Sequence, residues 1–254
     1  MPTLSFATLL PRVQPSVPGC PRPLVLDTIR DAAIRICEKS LAWRHVQTTF
    51  QLLPGVHEYT FNKPASSEVH AVFGAHVDNK PLQILTLEQA LALHPEWADL
   101  YSGQDPSVVF SLTPSGAVDE SEYNEDLFNE GSPFVLPDAI IAAASTPRSI
   151  TQVTPDKFIV LPLPDDTYSC RMFYALKPSR VATGMEEAPM RDIEDAIIHW
   201  ALQQLLVMPK VAWSDRELAA YHAKQALFRA TEARARANLG NARGQMVVSG
   251  PPLM

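Results

Sequence analysis

The chain has 254 residues, 46% apolar and 19% charged, which is the composition of a globular protein and the length of one large domain or of a body with an elaborated insertion. Its net charge of −7 argues against a nucleic-acid binder that wraps phosphates. Twenty-three prolines stand against ten glycines, and because proline fixes φ the connections are expected to be long, ordered and extended.

Residues 1–23 carry six prolines: Pro2, Pro11, Pro15, Pro18, Pro21 and Pro23. That density excludes a helix or a central strand and predicts an extended arm. Residues 24–44 switch to helical period, with Ile29, Ala33, Ile36, Cys37 and Leu41 on one stripe and Asp27 as the N-cap. Residues 46–85 read as strands: Thr48–Leu53, the turn Pro54-Gly55, Glu58–Phe61, then Val69–Val77, the turn Asp78-Asn79-Lys80-Pro81, and Leu82–Leu85. Thr86-Leu87-Glu88-Gln89 matches a capping box, opening a short helix that Pro95 ends.

Residues 149–177 are strands again. Ile159, Leu161 and Leu163 alternate, and Tyr168, Cys170, Met172, Tyr174 and Leu176 alternate against Ser169, Arg171 and Lys177. The last third is helical. Ile193, Ala196, Ile197, Trp200, Ala201, Leu205 and Met208 form an apolar stripe that Pro209 stops. Ser214-Asp215-Arg216-Glu217 predicts a second capping box and a helix to about Asn238. Leu218, Tyr221, Gln225, Phe228 and Glu232 mark its core face, so the first half is expected to pack and the second half to project or meet another chain. The pattern predicts an α+β fold: a small helical bundle (24–45 and 186–240) with an inserted antiparallel β-rich block (46–180). An acidic loop (100–147) belongs to the block, and extended arms lie at 1–23 and 241–254.

The chemistry-bearing residues form no familiar catalytic motif: there is no P-loop, G-x-G-x-x-G, G-x-S-x-G or H-E-x-x-H. Cys20, Cys37 and Cys170 make no C-x-x-C pair and read as buried thiols of a reducing compartment. The apolar stretch Phe6–Leu10 follows no lysine or arginine and is not read as a signal peptide, and no run approaches the ~18 apolar residues of a membrane span. His70 and His76 share a strand face but lack a third metal ligand. No cofactor and no metal are expected.

Charge is distributed unevenly. Residues 81–147 hold eleven acidic side chains and no lysine or arginine. The densest part contains Asp119, Glu120, Glu122, Glu125 and Asp126. It lacks the calcium-loop pattern and reads as a solvated acidic surface. Residues 210–245 have the opposite balance, with seven basic against three acidic side chains. A chain acidic in the middle and basic at the end suits pairing with copies of itself or docking on an acidic partner.

Several short stretches carry a resemblance. They are Leu10-Pro11-Arg12-Val13, Pro18-Gly19-Cys20-Pro21, Ala32-Ala33-Ile34 through Trp43-Arg44, and Leu176-Lys177-Pro178-Ser179-Arg180 with Ala182-Thr183-Gly184. To these add Leu205-Leu206-Val207-Met208-Pro209, Ala212-Trp213-Ser214-Asp215 and Ala233-Arg234-Ala235-Arg236-Ala237-Asn238. Together they resemble head-to-tail adaptor (connector) proteins of tailed bacteriophages, over both ends of the chain but not over residues 100–147. The resemblance implies a non-enzymatic ring subunit, commonly one of twelve, docked under the portal at the head–tail junction of the virion. The expected partners are copies of the chain, the portal protein and a downstream tail protein, with DNA passing nearby in the channel and no membrane involved. Arg229, Arg234, Arg236, Arg243, Met246, Val247 and Val248 are the expected portal-contacting residues, and Asp119, Glu120, Glu122, Glu125 and Asp126 the expected acidic channel surface. The alternatives are a tail tube or tail-completion protein and, from another class, a hydrolase using acidic residues of 119–130.

Overall fold

A computed structural model of the chain describes residues 2–94 and 144–239. The fold is α+β, in two units. One gathers Met1–Val46, Asn62–Ala71 and Phe173–Met254; the other gathers Gln47–Phe61 and Val72–Met172.

In the first unit the N-terminal segment corrects the extended arm expected from its prolines. Strand β1 (Thr3–Ser5) is followed by a 3-10 turn (Phe6–Leu9), the short helix α1 (Leu10–Val13) and a second 3-10 turn (Gln14–Ser16). Pro11 and Pro15 each fall in the first turn of such a piece, where the missing N–H has no helical partner to lose. Short pieces can therefore follow one another where one long helix cannot. Phe6, Leu9, Leu10, Val13, Val17 and Cys20 are buried, so the segment is part of the core.

Helix α2 (Arg22–Ser40) starts earlier than expected. Pro21 is its N-cap, and Asp27 is a helical residue paired with Arg30 instead. Its buried face (Val25, Ile29, Ala32, Ala33, Ile36 and Cys37) follows the predicted stripe. Strand β10 (Gly184–Glu186) pairs antiparallel with β1. Glycine is required at 184, because a Cβ there would stand 2.2 Å from the Leu4 carbonyl oxygen. Helix α4 (Glu187–Leu206) and helix α5 (Arg216–Leu239) complete a three-helix bundle with α2.

A four-stranded sheet has the order β2-β9-β4-β5, built from β2 (Arg44–Leu52), β9 (Tyr168–Pro178), β4 (Ser67–Val77) and β5 (Lys80–Pro81). Along β9, Cys170, Met172, Tyr174 and Leu176 are buried while Arg171 is exposed, which is the predicted alternation. The β4–β5 turn is tighter than expected: Asp78 and Asn79, both at positive φ, make the loop, and Lys80-Pro81 is already strand. Proline is tolerated there because β5 is an edge strand.

The second unit holds a four-stranded sheet in the order β3-β8-β7-β6: β3 (Glu58–Thr60), β8 (Lys157–Leu161), β7 (Ser149–Gln152) and β6 (Gln83–Leu85). β6 and β7 run parallel, an exception to the antiparallel block expected. Helix α3 (Leu87–Leu93) opens with the predicted capping box between Thr86 and Gln89. Leu85, Ala90, Ile159, Leu161 and Leu163 form one apolar cluster. Phe158 centres another, stacked on Tyr59 at 5.7 Å and within 4.8 Å of the Phe61 ring.

Candidate interaction surface

The residues that carry the resemblance mostly tie the first unit together. Leu176 N–H donates to the Trp43 carbonyl at 2.7 Å, and Ser179 N–H to the Ser66 carbonyl at 2.9 Å. Arg30 Nε donates to the Ala182 carbonyl at 2.8 Å, and Trp43 Nε1 to Glu186 Oε2 at 3.1 Å. Arg12 forks onto Glu194 at 2.6 Å and Asp195 at 2.8 Å, fixing the N-terminal segment to α4. Arg44 donates to Asn238 Oδ1 at 2.6 Å, so the far end of α5 is tied to the body.

Lys177 sits among carboxylates, 2.9 Å from Glu38 and 3.8 Å from Glu68. With Asp31, Arg35, Arg180 and Gln204 they line a cleft of about 330 Å³. Burial alone would raise the Glu38 carboxyl, but the Lys177 hydrogen bond and the charges of Lys177 and Arg35 hold it below its ordinary value. The cleft thus keeps Glu38 ionised and paired, which fits a structural clamp better than a proton donor.

Helix α5 departs most from the sequence reading. Asp215 is the N-cap, accepting from Leu218 N–H at 3.0 Å, while the Ser214 hydroxyl donates to the Leu206 carbonyl. The cap is one residue later than the predicted box. Its buried face consists of Ala219, His222, Ala226, Ala230 and Ala233. The residues expected to form the core face lie outside: Leu218 is 38% exposed, Tyr221 53% and Phe228 62%, with Leu227 at 55% on another side. Burial also continues to Ala233, so the second half does not project free of the body as expected. An alanine seam lets two helix backbones come close, and it leaves the large side chains no room inward.

One polar pair lies in this seam. His199 of α4 and His222 of α5 meet Nδ1 to Nδ1 at 2.7 Å, with rings 5.0 Å apart. One ring must donate and the other accept, so the pair requires at least one neutral imidazole. Burial lowers the proton affinity of both rings. The neighbouring Asp195 opposes that shift at His199, Arg229 and Arg12 add to it, and His199 adds to it at His222.

Of the expected partner-binding arginines, Arg229 pairs with Glu232 at 3.1 Å and Arg236 with the same carboxylate at 3.4 Å. Arg234 is exposed, and its neighbours Arg229 and Arg236 take the Glu232 charge. Arg243, Met246, Val247 and Val248, with Asp119, Glu120, Glu122, Glu125 and Asp126, lie outside the described residues.

All three cysteines are buried thiols, and burial lifts Cys170 to about 12. Among the described residues no group of three or more His, Cys, Asp or Glu could hold a metal ion, and no helix is long and apolar enough to cross a membrane. No protein-family model matches the chain, and no curated protein matches it.

Proposed function

We propose that the chain is a non-catalytic structural subunit of a tailed-bacteriophage head-to-tail adaptor, forming a ring beneath the portal that links capsid to tail. The observation that carries this reading is the two-sided character of α5. Its inner face is an alanine seam, and its outer face carries Leu218, Tyr221 and Phe228 in solvent. Large apolar residues in a row on an ordered helix mark a surface that another protein covers.

The resemblance of the sequence motifs supports the same reading, because those residues clamp the bundle and do not assemble a reactive group. In this proposal the C-terminal residues 240–254, with Arg243 and the apolar Met246, Val247 and Val248, extend from α5 to the portal. At ~3.3–3.6 Å per residue that segment spans at most about 50 Å, enough to cross to an adjacent ring. The acid-only stretch 81–147 contributes to a channel wall that repels DNA phosphates and lets the genome slide past.

The test is to mix the purified protein with the portal ring of its own virus and image the product by electron microscopy. A new ring stacked on one end of the portal is the expected outcome. Binding to tail proteins instead, with none to the portal, would move the protein to a tail-tube or tail-completion role.

A further inference from the structure

Helix α5 is held to the bundle by small side chains. Ala219, Ala226, Ala230 and Ala233 each bring a single methyl group to its buried face, and His222 is the largest buried side chain among them. Its ends are tied by the Asp215 N–H on the Leu206 carbonyl at 3.0 Å and by the exposed Arg44–Asn238 hydrogen bond. His222 meets His199 of α4 Nδ1 to Nδ1 at 2.7 Å, a contact that exists only while one of the two nitrogens carries no proton. The charges around the pair are mostly positive. Arg229, two turns further along α5, and Arg12, from the N-terminal segment, both disfavour a proton on His199. Asp195, one turn before His199 on α4, opposes them, but Arg12 already holds its carboxylate at 2.8 Å. The Tyr221 ring sits T-shaped to both imidazoles, 6.4 Å from His199 and 5.3 Å from His222. Helix α2, also packed on α5, has Cys37 as the one titratable group among its buried residues, a thiol that burial keeps protonated. Its charged groups are engaged elsewhere: Asp27 with Arg30, Arg35 with Glu38, Asp31 in the Lys177 cleft and Lys39 over the Trp200 ring.

We propose that the His199–His222 pair is an acid-sensitive latch, in which a second proton drives α5 off the bundle while the rest of the fold stays closed. At neutral pH one ring donates to the other. The pair can share one added proton, because a charged ring still donates to a neutral one. The second proton puts a hydrogen on each facing nitrogen and sets two positive charges 2.7 Å apart, beside Arg229 and Arg12. A seam of single methyl groups resists that repulsion less than a seam of large apolar side chains. The helix set free is the one that carries Tyr221 and Phe228 on its outer face, so a partner covering that face meets a pH-dependent surface. The inference goes beyond the adaptor reading and fails separately from it, since it concerns the chain on its own.

The experiment follows amide hydrogen exchange of the full-length chain by mass spectrometry at about pH 7.5 and about pH 5, corrected for the intrinsic change in exchange rate. A released ring takes up its proton near 6.5, so at about pH 5 the refused second proton favours opening by about 30-fold. Protection within residues 219–233 should fall by about that factor, while α2 and β8 keep theirs. His222→Asn leaves no second proton to refuse and should lose most of this dependence. His222→Lys, with a fixed charge beside His199, should loosen α5 already at neutral pH. Nitrogen-15 NMR of the imidazoles in the native chain at neutral pH needs no variant, and it should find one of the two Nδ1 atoms protonated and the other not. Two unprotonated Nδ1 atoms, α5 protection that does not change with pH, or a fall shared equally by α2 and β8 would overturn the proposal. Undiminished pH dependence in His222→Asn would overturn it as well.

Discussion

His199 and His222 show how a single pair can set the response of the bundle to acid. Their Nδ1 atoms are 2.7 Å apart, so the contact survives one added proton but not two. Burial is the main reason that both rings hold protons less tightly than usual. In the unfolded chain each titrates near its ordinary value of about 6.5. As pH falls through that value, the unfolded chain takes up protons that the folded pair refuses. Stability present at neutral pH is therefore lost toward acid, first at the unfolded value and further down to the lowered folded one. Denaturant titrations between about pH 7 and pH 5 should show a steeper decline for the native chain than for His222→Asn. Equal slopes would mean that the decline belongs to other groups. The sequence carried both histidines but no sign of their meeting, because they sit on different helices and only the helix phase brings them together. Tyr59 makes a second residue-scale case. Its hydroxyl accepts from Leu53 N–H at 2.9 Å and donates to the Val56 carbonyl at 3.0 Å, holding the turn at Gly55. Tyr59→Phe should cost about 1 kcal/mol in a denaturant melt, since both backbone groups then turn to water. A loss well below about 0.5 kcal/mol would mean the turn holds itself.

At the scale of elements, helices α2 and α4 were legible because their large apolar residues are also their buried ones. The β9 alternation was legible for the same reason, and the Thr86 capping box because its spacing is its mechanism. Helix α5 was placed correctly but turned the wrong way. Alanine occurs on several of its sides, so a reading that follows the bulkiest residues selects Leu218, Tyr221 and Phe228 and passes over the seam. The signal available was the spacing Ala219, His222, Ala226, Ala230 and Ala233, a helical stripe of small side chains. The N-terminal segment failed for a different reason. Proline density excludes a long helix, but it does not exclude short turns that each begin at a proline. The seam makes a sharp prediction. Ala226 is fully buried, so Ala226→Leu forces extra methyl groups between packed helices. It should cost about 1–3 kcal/mol in denaturant unfolding. Phe228→Ala, on the outside of the same helix, should change stability by no more than about 0.5 kcal/mol. If the two variants exchanged those outcomes, the orientation of α5 would be wrong.

For the whole molecule, the proposed assembly makes weak contacts count many times. A C-terminal segment of fifteen residues, Gly240–Met254, offers each subunit only a small hold on the portal. Once one subunit of a closed ring is docked, its neighbours bind from a high effective concentration, and their contacts multiply. A loss of about 1 kcal/mol at one contact is then repeated by every subunit, although a single free subunit would show it as a factor of about five. Rings assembled from mixtures of intact chain and chain ending at Leu239 expose this directly. Truncated subunits should still fold, because the alanine seam ends at Ala233 and Arg44 holds Asn238 within the retained residues. They should also still enter rings, because the exposed face of α5 with Leu218, Tyr221 and Phe228 is kept. The fraction of portals capped, counted by electron microscopy, should then fall more steeply than the fraction of intact chain. A decline in simple proportion would mean that each subunit docks alone, and capping unaffected by truncation would take the portal contact away from residues 240–254.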